Sequence, residues 1–129
     1  MNKTFSVLLV FAFWGTLTIA NASISNKIIS GKIMNDTTNL LSTNDTVQGV
    51  ELPKLIDARN CAQFKVDTEK LPRGGGYFVT YLDSKNNGCL IEFAGSTHDD
   101  YRLSAVGIGK YACIKRSSED KIIIYPRNN

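Results

Sequence analysis

Between residues 60 and 125, short runs of alternating apolar and polar side chains are cut every few positions by Gly, Asn, Asp or Pro. No other feature limits the possible folds so strongly. A two-residue period puts every second side chain on one face, so each run reads as a half-buried strand. Residues 62–66 alternate Ala62, Phe64 and Val66 with Gln63 and Lys65; 77–82 is rich in aromatic and β-branched residues; 89–93 sets Cys89, Ile91 and Phe93 against Leu90 and Glu92. Further strands are expected over 101–105, 110–116 and 121–125, the last stopped by Pro126. Between the second and third, Asp83-Ser84-Lys85-Asn86-Asn87-Gly88 offers the residues that accept the positive φ of a tight hairpin. No segment is long enough to compete as a helix. The expectation is an all-β domain, a small six-stranded antiparallel β-sandwich or partly open barrel with one disulfide.

The chain before this domain reads as delivery and tether. Met1-Asn2-Lys3-Thr4, an apolar run over 5–19 and Ala20-Asn21-Ala22 are the three parts of a secretory signal peptide, with cleavage expected after Ala22. No second apolar run of that length follows, so a secreted protein without a membrane anchor is expected. Residues 23–56 are rich in Ser, Asn, Lys, Asp and Thr, keep neither period and read as a flexible N-terminal extension. A short helical turn fits Leu55-Ile56-Asp57-Ala58, and the β-domain is expected over 57–129. Asn35-Asp36-Thr37 and Asn44-Asp45-Thr46 both match the N-glycosylation acceptor pattern, either as sugar sites on an exposed segment or by chance in an Asn- and Thr-rich stretch.

The formal charge of +3 is close to neutral, and Glu119-Asp120 offsets the densest basic pair, Lys115-Arg116. Nucleic-acid binders carry a clustered basic face instead, so none is expected as a partner. Three cysteines, Cys61, Cys89 and Cys113, in a chain bound for an oxidising compartment imply one bridge and one free thiol, with three pairings open. A single His and no Cys-x-x-Cys spacing argue against a metal site, and no cofactor is expected. The Gly74-Gly75-Gly76 run lacks the Lys-Ser/Thr and following helix of a phosphate loop and reads as a turn.

Two catalytic constellations are conceivable. Glu92, His98 and Arg102 supply the base, acid and phosphate-binding cation of a small ribonuclease, and Cys89 or Cys113 with His98 could form a thiol nucleophile. His98-Asp99-Asp100 is equally ordinary in a solvated loop, and secretion disfavours a reduced thiol. A non-enzymatic protein is expected. Tyr and Arg favour binding surfaces, and a sheet edge can pair with a partner strand. The basic segment 110–116 is the expected edge, with Lys110, Tyr111, Lys115 and Arg116 as binding residues.

Six strands behind a signal peptide, with Cys61 opening the first and Cys113 within the fifth, resemble the MAX effectors, the avirulence and ToxB-like secreted proteins of plant-pathogenic fungi. The resemblance covers residues 60–125 and is architectural. It implies a Cys61–Cys113 bridge, with Cys89–Cys113 the competitor, and a monomeric virulence effector that binds host proteins. An exported bacterial β-domain, such as a toxin component, inhibitor or immunity protein, is the main alternative.

Overall fold

The computed structural model of the chain describes residues 28–72, 76–95, 100–116 and 119–128. The expected signal peptide and His98 lie outside those residues. Ten strands make up the described part: β1 (Ile28–Asn35), β2 (Leu41–Ser42), β3 (Val50–Glu51), β4 (Leu55–Ile56), β5 (Cys61–Asp67), β6 (Gly76–Leu82), β7 (Gly88–Ala94), β8 (Arg102–Ile108), β9 (Tyr111–Lys115) and β10 (Lys121–Pro126). They form two five-stranded sheets, ordered β3-β5-β1-β10-β9 and β4-β2-β6-β7-β8. Every pairing is antiparallel except that of β1 with β10. This is an all-β fold with two faces and no closed barrel, and among the described residues it contains no helix.

The six expected strands are β5 to β10, but four more come from the stretch expected to be a flexible extension. Residues 28–56 are built into the sandwich, and β1 lies between β5 and β10 in the middle of its sheet. The segment hides its periodicity because its inner face reads Ile29, Gly31, Ile33, Asn35, with one residue lacking a side chain and another polar. Gly31 is required by packing. The ring of Phe64, its partner across the ladder, lies where a Cβ would project, and its Cζ would overlap that atom. Phe64 then meets Phe93 of the facing sheet edge-on, with ring centroids 5.7 Å apart. The short helical turn expected at Leu55 and Ile56 is instead β4, paired with β2.

Ile33, Phe64, Val66, Ile122 and Ile124 from one sheet and Val79, Tyr81, Ile91 and Phe93 from the other form the shared core. Full burial of such side chains contributes about 1.5–3 kcal/mol each before the entropy of ordering is subtracted. The β6–β7 hairpin forms as expected, with Asn86 supplying the positive φ at 63°. A bridge joins the sheets, but it is Cys89–Cys113, with Cα atoms 5.7 Å apart, and Cys61 is free and exposed. Parity explains the correction. Residue 61 shares the outer face of β5 with Gln63 and Lys65, opposite to Phe64 and Val66, whereas Cys89 and Cys113 both point inward from facing sheets.

Candidate binding face

The outer face of the β4-β2-β6-β7-β8 sheet follows from the same parity. With Val79, Tyr81, Cys89, Ile91 and Phe93 inward, the alternate positions Phe78, Thr80, Leu82, Leu90, Glu92, Ser104, Val106 and Ile108 point outward. The ladder aligns them in rows: Leu82 with Gly88 and Ile108, Thr80 with Leu90 and Val106, Phe78 with Glu92 and Ser104. Four aliphatic side chains thus occupy two adjacent rows, and Phe78 flanks them. Phe78 and Val106 are each 57% exposed. Leu55 of β4, also exposed, extends the first row through Ser42. The solvent face of an antiparallel sheet is ordinarily polar, so this apolar patch is the candidate contact surface.

Among the described residues, part of the backbone beside this face is open. β2 pairs with β6 only at Ser42 and Leu82. At Thr80 the backbone N–H and the hydroxyl instead donate to Asp45 Oδ2, at 2.8 and 3.0 Å. Backbone groups two residues apart in a strand point the same way, so those of Phe78 and Gly76 face this side too. Among the described residues no strand pairs with them there. Glu92 borders the face: its carboxylate lies over Gly76, where a Cβ would collide with Oε2, and its Oε1 accepts from Ser104 Oγ at 3.1 Å.

The residues expected to bind do not form one surface. Tyr111 is only 5% exposed, and its hydroxyl accepts from Asn39 Nδ2 at 2.6 Å and donates to Asp83 Oδ2 at 3.0 Å. Burial alone would raise the Asp83 pKa, but the backbone N–H groups of Asn87 and Lys85, the Tyr111 hydroxyl and the Asn87 side chain together hold it below its ordinary value. Lys110 sits in the β8–β9 turn, its N–H on Asn87 Oδ1 at 2.9 Å. Lys115 ends β9 about 17 Å from Lys110 at the rise of a strand, and Arg116 follows it. β9 does end its sheet as expected, but β8 packs beside it. Gly107 approaches so closely that a Cβ there would collide with the Tyr111 carbonyl oxygen.

Of the other weighed residues, Cys61 lies on the outside of β5 opposite Met34, while Cys113 is inside the bridge. Glu92 and Arg102 share the outer face as diagonal neighbours, opposite Ser104 and Ala94 respectively. Among the described residues no group of three or more His, Cys, Asp or Glu could hold a metal ion, and no helix is long and apolar enough to cross a membrane. Sequence reading missed the outer-face patch, although its signal was present: β6 and β7 carry apolar residues at both parities.

The described residues therefore form a two-sheet β-sandwich with a cross-sheet disulfide, an apolar patch on the outer face of the β4-β2-β6-β7-β8 sheet and an open stretch of the β6 edge. No known protein family and no curated protein matches the chain.

Proposed function

We propose that this chain is an exported, non-enzymatic protein that acts by binding another protein through the outer face and the open β6 edge of the β4-β2-β6-β7-β8 sheet. The observation that carries this is Phe78, 57% exposed beside backbone groups that no strand of the described residues takes up. A partner strand laid along Gly76 and Phe78 would gain main-chain hydrogen bonds, and Phe78, Leu90 and Val106 would supply the buried centre such an interface needs. The effector reading is one form of this proposal. Its implied Cys61–Cys113 bridge is replaced by Cys89–Cys113, so it rests on the exported two-sheet architecture alone. An exported bacterial inhibitor or immunity protein is the other form.

A photo-crosslinking residue at position 78 captures a discrete protein partner, and the same residue at Gln63, on the opposite sheet, does not. Capture from the exporting organism's own proteins supports the inhibitor form, and capture from host tissue supports the effector form. Val106→Asp removes capture while leaving the unfolding midpoint unchanged. Equal capture from positions 78 and 63, or capture untouched by Val106→Asp, would sink the proposal.

A further inference from the structure

Two Asn-Asp-Thr triplets, identical in sequence, stand in opposite environments. Asn35 ends β1 facing the interior and is 0% exposed, as is Thr37. Its Nδ2 lies 2.8, 3.0 and 3.2 Å from the carbonyl oxygens of Asn39, Ile56 and Asp57. Its Oδ1 accepts from the Thr37 hydroxyl at 2.6 Å and the Thr37 N–H at 3.2 Å. The amide thereby ties the β1–β2 connection to β4. Asn44 and Thr46, by contrast, are not buried in the connection from β2 to β3, and Asn44 is exposed, while Asp45 between them turns back to cap Thr80.

We propose that Asn44 is the N-glycan acceptor of this chain and that Asn35, in the same triplet, is a structural amide whose modification the fold does not tolerate. This rests on the reading of the chain as exported, and applies in a compartment that supplies a lipid-linked oligosaccharide. In the transfer, the Asn Nδ2 forms a bond to C1 of the donor sugar. The C1–O bond to the lipid diphosphate breaks with its electron pair on the diphosphate, and Nδ2 loses one proton. At Asn44 the sugar projects into solvent. At Asn35 the remaining single N–H cannot serve the carbonyls that the two hydrogens now share, and a fully buried position has no room for a sugar.

The acceptor pattern is read on the extending chain, so Asn35 is presented before it is buried. The two sites therefore separate by fate and not by initial occupancy. The full chain is secreted from a eukaryotic cell, and glycopeptides are mapped by mass spectrometry in the medium and in the intracellular retained fraction. The expected result is a glycan on Asn44 in the secreted protein, lost in Thr46→Ala, with Asn35 occupied only in retained chains. Secreted, protease-resistant protein carrying a glycan on Asn35, or carrying none on Asn44, overturns it. Failure to enter the secretory route with residues 1–22 counts against the export reading instead. The same chain behind a heterologous leader then still exposes both triplets to the donor, and the same two occupancies decide between acceptor and structural amide.

Discussion

Tyr81 and Tyr101 show how one residue type takes opposite energetic roles in this small core. Both hydroxyls are buried, and burial pushes both phenols well above their ordinary range, with the charge of Asp120 adding to the shift at Tyr101. Tyr81 donates to the Pro53 carbonyl at 2.6 Å and so holds the junction before β4 onto the sheet. The Tyr101 hydroxyl has no hydrogen-bond partner among the described residues. Removing a hydrogen-bonded hydroxyl leaves its acceptor unpaired, whereas removing an unpaired one relieves a desolvation cost. Tyr81→Phe is therefore expected to cost about 1–2 kcal/mol in urea unfolding, and Tyr101→Phe to be neutral or stabilising by up to about 1 kcal/mol. The pH dependence has a definite sign. A folded pKa raised above the unfolded value means the native state holds its proton longer, so this contribution is complete below about pH 10 and is lost as pH rises beyond it. A urea midpoint flat from about pH 9 to 12 would show that neither phenol is held in this way.

Strands were legible wherever one face was uniformly apolar, and illegible where packing chose otherwise. β5 alternates cleanly, with Phe64 and Val66 set against Gln63 and Lys65, while β7 and β10 are legible as short apolar runs bounded by turn residues. β1 shows no such pattern, since its inner face spends one position on a glycine under Phe64 and another on the amide of Asn35, and neither registers as hydrophobic. β2, β3 and β4 span two residues each, too short for any period. The apolar outer face was missed for a related reason: which of two apolar faces is covered depends on the facing sheet, and strand order does not follow from local pattern. Element parity also decides the disulfide. A bridge of sequence separation 24 linking β7 to β9 contributes about 3.5 kcal/mol in the chain-entropy model. Cys89→Ala with Cys113→Ala is expected to lose about that much in denaturant unfolding, while Cys61→Ser on the solvent face stays within about 0.5 kcal/mol. A large loss in Cys61→Ser and none in Cys89→Ala alone would restore the pairing that the effector resemblance implied, since Cys113 is common to both bridges.

The sandwich is held by its first and last described strands meeting within one sheet. β1 pairs in parallel with β10, the last strand, and antiparallel with β5, so it satisfies backbone groups on both neighbours at once. Without it those strands would face each other across a missing row, and Phe64 would lose the glycine surface it packs on. Loss of Asn35 would also release its hold on the Ile56 and Asp57 carbonyls, loosening β4 in the opposite sheet. Both sheets therefore depend on residues that compositional reading assigns to a tether, and small domains have little surplus stability to absorb such a loss. A chain starting at Asp57 is expected to show no cooperative thermal transition and no slowly exchanging amides in β5 or β10, whereas one starting at Ser23 unfolds in a single step. The contrary result, a cooperative transition in the shorter chain with the β5 and β10 amides still protected, would mean that residues 57–129 fold alone and that β1 merely docks onto a finished domain.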